Sequence, residues 1–515
     1  MNSTAKILLT LLTTLLLHIP VMGQIAEPME EPTLNIRSIS VLGNTLLPEE
    51  VVNRIIAPFQ ERDLGLTEMK ELAKSLEKEY RDRGYLLVQV ALPSQKPTGG
   101  LLVLQVLEPS LGEITVEGNE RYNSEFLKAR FKDNIREGAY RSQDVERSLL
   151  LLNDLPDLKV KAVLRPGLEE GTTDLVLSAD EDKPYHFTLD YNNFGTRLTG
   201  EHRFSLSGDF SNVLTQGDLL TVGGMIATPA SATTFYQGGY SFPVGTAGTR
   251  LALNYATGAY SVGQELESLN IRGESEIATL SVSHPLTRSF GHSSDLSLAL
   301  SYNDVFNTVQ GLPLSADEYM VARLDYTSQW QDTQGRTVLR AGASRGLGGT
   351  RKGDPRASRA GAGSEFTKFN LDAARLQRLN ESLALFLRGS AQFTGDSLFA
   401  IEQMQVGGPD TVRGFSPAET LGDQGYALSA ELQWSPLVND PELFKTVFFV
   451  DHGGITQRTP PPGLKGSRQL TGAGLGFRVN YKKIRARLDL GFPLSPSSNQ
   501  LRRSPVIYGQ VTTRF

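Results

Sequence analysis

From about Tyr185 onward, apolar and polar residues alternate with a period of two. Leu296, Leu298, Leu300 and Tyr302 alternate with Asp295, Ser297, Ala299 and Ser301. Ile484, Ala486, Leu488, Leu490 and Phe492 alternate in the same way with Arg485, Arg487, Asp489 and Gly491. Each run reads as a strand with one apolar and one polar face. The pattern predicts strands near 185–194, 201–211, 217–228, 233–241, 249–257, 274–284, 293–303 and 317–330. It predicts others near 335–345, 364–375, 382–393, 424–435, 444–452, 470–480, 483–493 and 505–515. That is about 16 strands, an even number. Even gaps are short, as at 331–334 and 481–482, while odd gaps become long, as at 258–273, 346–363 and 453–469. Short turns on one side and long loops on the other fit a transmembrane barrel, whose apolar face meets lipid and whose polar face lines a lumen. A soluble sandwich has no reason to show this asymmetry.

Before Tyr185 the period differs, and a motif repeats. Residues 39–44, Ile-Ser-Val-Leu-Gly-Asn, recur as 114–119, Ile-Thr-Val-Glu-Gly-Asn. An interval of this size marks a repeated domain rather than a solenoid unit. Each copy begins with a strand ending at Gly-Asn, then a short helix at 48–57 or 123–131. In the first copy Met69, Leu72, Ala73, Leu76 and Tyr80 follow at helical spacing behind Thr67 as expected cap, and Gly84 ends the helix. Strands are expected at 85–92 and 101–107. The second copy has Ser142 as expected cap, Val145, Leu149 and Leu152 on one helix face, and strands near 159–164 and 173–179.

The N-terminus reads as a signal peptide over 1–23, with Lys6, an apolar core at 7–17 and small Gly23 at the cleavage site. His18 and Pro20 interrupt the run too early for a membrane anchor. With 51 basic and 57 acidic residues the net charge is −6, which suits neither nucleic acid nor a basic membrane-surface role. There is no cysteine, hence neither a disulfide nor a thiolate metal site.

The longest gap, 394–423, holds the run 407–415, Gly-Gly-Pro-Asp-Thr-Val-Arg-Gly-Phe. A loop of this length without a role is uncommon, and its glycines and proline suit a tight hairpin able to fold back into the lumen. Inside a lumen Arg413 needs an anion. Asp451, which shares a strand face with Phe449, is the candidate, since an arginine fork on a carboxylate is bidentate and directional. Read from spacing alone, a solvated Arg413 at the loop tip and Asp451 at the strand's aqueous end is the favoured arrangement. Gly472, Gly474 and Gly476 mimic part of a phosphate loop, but no helix follows, and they are read as clearance for the loop or a client. Arg485, Arg487 and Asp489 are expected to solvate the pore. The histidines show no metal-ligand spacing and no nucleophile–base pair is visible, so neither enzyme, cofactor nor metal is expected.

Two strand–helix–helix–strand–strand units resemble POTRA domains, here 34–108 and 109–182. Gly84, Tyr85, Pro93 and Gln95 resemble the pattern of the first such domain in two-partner secretion transporters. Val412, Arg413, Gly414 and Phe415 resemble the loop motif of the POTRA-plus-barrel superfamily, and Phe449 and Asp451 the wall motif that receives the loop arginine. Phe515 resembles the terminal aromatic signal of outer-membrane barrels. The mature chain therefore resembles the two-partner secretion transporters of TpsB type, the hemolysin secretion/activation (ShlB/FhaC/HecB) family. The resemblance implies α+β periplasmic POTRA domains followed by an all-β barrel, 183–515, in the outer membrane of a diderm bacterium. It implies a monomer, inserted by the barrel-assembly machinery, that takes up a large unfolded β-helical exoprotein through its POTRAs and secretes it through the barrel without nucleotide. Many members carry a plug helix; here the linker 24–33 is acidic and broken by Pro28 and Pro32, so the loop is expected to restrict the pore alone. The alternatives are an insertase for barrel proteins, which usually has more POTRA repeats and would show an open seam, and a porin with periplasmic appendages.

Overall fold

A computed structural model describes residues 32–96, 98–135, 141–169, 171–229, 232–463, 465–496 and 505–515. The expected signal peptide and nearly all of the linker lie outside them. The chain divides into two compact units, one holding residues up to Arg83 with Val88–Glu108, the other Gly84–Leu87 with Pro109–Phe515.

In the first unit, strand Leu101–Leu107 lies between Ser38–Leu42, parallel to it, and Gln89–Ala91, antiparallel. Helices Glu49–Ile56 and Leu66–Asp82 accompany this sheet, the second burying Met69, Leu72, Ala73, Leu76 and Tyr80. Thr67 is not the cap. The helix starts behind Gly65, whose N–H donates to the Glu68 carboxylate at 3.0 Å. The expected strand 85–92 is reduced to Gln89–Ala91, because Gly84–Leu87 packs with the second unit.

The second unit opens with a sheet in the order Ser110–Glu117, Thr172–Glu181, Leu158–Pro166. Helix Ser124–Lys132 is capped by Asn123, whose side chain accepts from Glu125 N at 2.7 Å. Ser142 is the first residue of helix Ser142–Asn153 rather than its cap, and its N–H is satisfied by Gly84 O at 2.9 Å. Leu127, Phe131, Leu152, Leu175 and Leu177 form the core. This domain is tied to turns of the barrel that follows. Asp154 accepts from Arg288 at 2.7 Å, Arg147 donates to Pro285 O and Leu286 O at 3.1 Å, and Asp157 bonds His186 at 2.7 Å and Ser211 at 2.6 Å.

The barrel closes through sixteen antiparallel strands, counted from Tyr185–Asn192 as the first to Val506–Arg514 as the last. Its outer face carries Leu296, Leu298, Leu300, Tyr302, Ile484, Leu488 and Phe492, all exposed. Ser301 and Asp489, on the opposite face, are buried. The alternation of odd and even gap lengths is less regular than expected. The sixth to eighth strands run Ile271–Arg288, His292–Val309 and Leu312–Gln331, so the seventh gap is the two-residue turn Gln310-Gly311, both at positive φ. Pairing runs on beyond the apolar alternation through Asp304, which stands opposite Glu276 and Glu318, because the ladder is made by main-chain hydrogen bonds whatever the side chains. The loops expected at 346–363 and 453–469 likewise begin later, after strands that run to Gly349 and Thr456.

The seam is closed. Strand Val506–Arg514 pairs with the first strand over Gln510–Arg514, and Phe187 and Phe515 exchange backbone bonds at 2.9 and 3.0 Å. Where the ladder stops, the Asn193 amide takes its place, donating to Ile507 O at 2.9 Å and accepting from Gly509 N at 2.7 Å.

Candidate functional site

Between the eleventh strand, Leu383–Thr394, and the twelfth, Gln424–Trp434, the loop forms its own hairpin, Met404–Val406 against Thr420–Gly422. Between the two strands of this hairpin the chain turns back at 407–411 and carries Val412, Arg413, Gly414 and Phe415 against the inner wall, all of them buried. Val412 and Phe415 pack with Val406, Ile455 and Leu470.

Arg413 is 1% exposed and Asp451, on the thirteenth strand Phe444–Thr456, is 0% exposed. The guanidinium grips this carboxylate with both edges of its fork, Nε to Oδ2 at 2.7 Å and Nη2 to Oδ1 at 2.8 Å. The backbone N–H of Arg413 adds a third bond to Oδ2 at 3.0 Å. Phe449 lies on the same strand face as Asp451, and its ring centroid is 3.5 Å from the guanidinium carbon, a cation–π contact. Two partners escape sequence reading. Glu431 takes Nη1 at 2.6 Å, and Ser429 takes Nη2 at 3.1 Å. Both face inward on the twelfth strand, and only the register Ser429↔Asp451 and Glu431↔Phe449 puts them beside the thirteenth-strand pair.

The residues after the arginine need close backbone approach. Gly414 has φ +98°, and a Cβ there would lie 2.8 Å from the carbonyl carbon of Phe492. Its N–H donates to Tyr508 Oη at 3.0 Å, and that hydroxyl donates to Phe415 O at 2.5 Å. Gly472 and Gly491 provide the facing clearance: a Cβ on the first would stand 1.8 Å from Arg413 O, on the second 2.4 Å from Gly414 N. Gly474 and Gly476 instead make room for Phe449 and Asp489.

The lumen charges do more than solvate a pore. Asp489 is fully buried, accepting from Arg478 at 2.7 Å and Arg487 at 2.6 Å. Arg487 also donates to the loop, at Pro409 O, 2.7 Å away, while Arg388 reaches Asp410 O from the eleventh strand. The expectation failed because the folded-back loop brings its carbonyls to these arginines; Arg485 alone of the three stays exposed.

The loop's base is anchored separately. Glu402, 4% exposed, accepts from Tyr319 at 2.7 Å and Arg323 at 2.6 Å, and pairs with Lys368 at 2.7 Å. Asp423 accepts from Arg359 at 2.5 Å, Leu398 N at 2.9 Å and Arg458 N at 2.7 Å. Nothing in the period-two pattern marks these residues, which meet only across the closed barrel.

The remaining motif residues lie outside the barrel. Gly84 has φ +92°, and Tyr85 Oη accepts from Arg141 Nε at 2.9 Å and Nη2 at 2.7 Å, within the second unit. Gln95 mimics a strand in the first unit, donating to Val103 O at 2.6 Å and accepting from Val103 N at 2.9 Å. Pro93 is exposed and separates Gln95 from strand Gln89–Ala91.

The profile of the haemolysin secretion/activation protein ShlB/FhaC/HecB family matches residues 171–479, and that of the ShlB-type POTRA domain matches residues 34–109. The outer membrane transporter CdiB of Dickeya dadantii (strain 3937) is 25% identical over 484 residues, 91% of this chain and 84% of the relative. The hemolysin transporter protein HpmB of Proteus mirabilis is 24% identical over 475 residues, 89% of this chain and 82% of the relative. The solved structure of CdiB from Escherichia coli shares the fold at a TM-score of 0.78 and 22% identity, covering 96% of this chain and 93% of that one. BamA from Haemophilus ducreyi lacking POTRA domains 1–3 is less similar, at a TM-score of 0.55 and 15% identity. A POTRA domain, a closed sixteen-strand barrel and a family profile matched over more than half its length make this chain a member of the haemolysin secretion/activation (ShlB/FhaC/HecB) family of outer-membrane proteins.

Proposed function

We propose that this chain is the transporter of a two-partner secretion pair. From the outer membrane it captures an unfolded exoprotein on its periplasmic POTRA domains and secretes it through the barrel. The observation that carries this reading is a lumen narrowed by a loop of the chain itself, held by Arg413 on Asp451 and Glu431. A porin for small solutes needs neither such a gate nor POTRA domains. An insertase needs a seam that opens, and the Asn193 staple and the Phe187–Phe515 bonds argue against one.

The client is a large exoprotein of β-helical type. It docks as an extra strand, for which Ser38–Leu42 in the first unit and Leu158–Pro166 in the second each stand at a sheet edge. Strand addition uses main-chain bonds and tolerates varied sequence. Folding of the client outside drives export, so no nucleotide, cofactor or metal takes part. The barrel-assembly machinery inserts the chain, and the chain works as a monomer.

The test is deletion of this chain from its host, with mass spectrometry of medium and outer membrane. Loss of one large secreted polypeptide, restored by the wild-type chain, is expected. Loss of many barrel proteins from the outer membrane would make the chain an insertase instead.

A further inference from the structure

The inner wall of the barrel has two chemically different halves. Loop residues 402–415 find their wall partners, among the described residues, only on strands from the eighth to the sixteenth. That half supplies Arg323, Lys368, Arg388, Glu431, Asp451 and Arg487 to the loop. Even where the loop is not touched it is charged, as at Arg340 and Asp372, directly opposite each other on the ninth and tenth strands.

The third to seventh strands, Leu219–Thr228, Thr233–Val244, Thr249–Ser261, Ile271–Arg288 and His292–Val309, differ. Which of their residues face inward is fixed by a chain of contacts. Arg323, bound to Glu402 of the loop, donates to Ser301 Oγ at 3.1 Å, and Ser301 Oγ lies 2.9 Å from Thr279 Oγ1. Thr279 pairs with Asn254 and Asn254 with Gly239, while Leu253, Tyr255, Leu280 and Val282 are exposed on the other face. Carried along the registers, this parity assigns the inward positions at 221–225, 235–241, 252–258, 275–283 and 297–303. They hold Ser, Thr, Asn, Gln, Gly and Ala, with Met225, Phe235 and Ile277, and no Asp, Glu, Lys or Arg. Arg250 and Asp295 come only at the turn-side ends of this wall, Asp295 already paired with Arg288.

We propose that the exported polypeptide runs along the lumen face of the third to seventh strands, while the loop keeps to the opposite wall. The proposal rests on the secretion reading above. An extended chain presents a new side chain about every 3.3 Å, of either charge or none. Fixed charges in a narrow, poorly solvated lumen hold one sign and repel the other, so a client of mixed sequence would stall on them. Hydroxyls and side-chain amides both donate and accept, so they serve any stretch of backbone and exchange readily with water. Small side chains also leave width on this side. The loop then has to loosen only at its tip for the client to pass, without leaving the barrel.

Because the chain lacks cysteine, single cysteines report one position each. The probe is the polypeptide whose export the deletion strain loses, given one cysteine and a disulfide-locked domain downstream that halts it in the barrel. With Asn254→Cys and Thr279→Cys, cross-linking is expected at least fivefold above that with Arg340→Cys and Asp372→Cys. Equal or reversed yields overturn the wall assignment. No cross-link at any of the four, with export intact in each variant, overturns passage through the barrel and hence the secretion reading itself. Fixed charge gives a second measure. Asn254→Lys and Thr279→Glu are expected to slow export of the unblocked polypeptide tenfold with normal amounts of folded barrel, while Asp372→Asn stays within twofold of wild type. Export within twofold of wild type in both charged variants would overturn the proposal.

Discussion

The two ends of the loop are anchored by opposite chemistries. At the tip one cation, Arg413, enters a nest of carboxylates, Asp451, Glu431 and, at 3.9 Å, Asp489. At the base one anion, Glu402, enters a nest of cations, Arg323 and Lys368, with the Tyr319 hydroxyl added. The base has reserves. The Glu402 carbonyl also accepts from Lys368 at 3.1 Å and Gln392 at 3.0 Å, and Asp423 holds the loop's exit independently. The buried ion pairs of the tip all run through one guanidinium. Breaking a buried pair by removing one partner costs about 3–5 kcal/mol, because the other charge stays buried and uncompensated. The tip is therefore the end whose buried ion pairs a single change removes, leaving it only hydrogen bonds and apolar packing, and the base the end that keeps a second charged anchor.

The sharpest way to break this comparison is Arg413→Ala. Export is expected to fall more than tenfold while the heat-modifiable, folded barrel reaches the outer membrane in normal amount. Equal loss of export and assembly would show that Arg413 serves folding and not the hold on the loop. Gly472→Ala acts on the same end without touching charge, since its Cβ would collide with Arg413 O 1.8 Å away. It should raise the conductance of the reconstituted channel in the same direction as Arg413→Ala; unchanged conductance would mean that the tip tolerates displacement. Arg413→Lys keeps the charge but loses the two-edged grip on Asp451. An export defect of a few fold, between wild type and alanine, is expected, and a defect as deep as alanine's would put the geometry of the fork above its charge. The smallest effect is expected at the base. Glu402→Gln leaves Lys368 and Arg323 without their carboxylate, a local cost of the same kind as at the tip, but the Glu402 carbonyl bonds and the Asp423 anchor remain, so export should stay within about threefold of wild type. A Glu402→Gln defect equal to that of Arg413→Ala would erase the distinction between the ends.

The two units differ in a similar way in what they expose. In the first, Gln95 fills part of one sheet edge with its own amide and leaves Ser38–Leu42 at the other. In the second, helix and strand ends are tied to barrel turns through Asp154, Arg147 and Asp157, and Ser110–Glu117 and Leu158–Pro166 are the two edges of its sheet.

Much of this architecture is local and legible in the order of residues. Alternation of period two needs only neighbours along one strand, so about 16 strands, the two faces of runs such as 295–302 and 484–492 and the long gap before Gln424 follow from the sequence. Where the alternation loses its apolar half, as at Asp304, the reading stopped although the ladder did not, because backbone pairing is indifferent to side-chain polarity. The loop arginine and one carboxylate in reach of it were also readable, from the cost of burying a lone guanidinium and from family resemblance. The full nest was not. Glu431 and Ser429 come beside Asp451 through the register of two strands, Tyr508 through closure of the barrel, and Glu402 meets Arg323 and Lys368 across residues 323–402 of the chain. Register and closure are set by the whole ring of strands at once, and no single strand carries that information. Sequence by itself thus determined where the strands lie and that each has an apolar and a polar face, and tertiary structure alone decided which residues meet in the lumen.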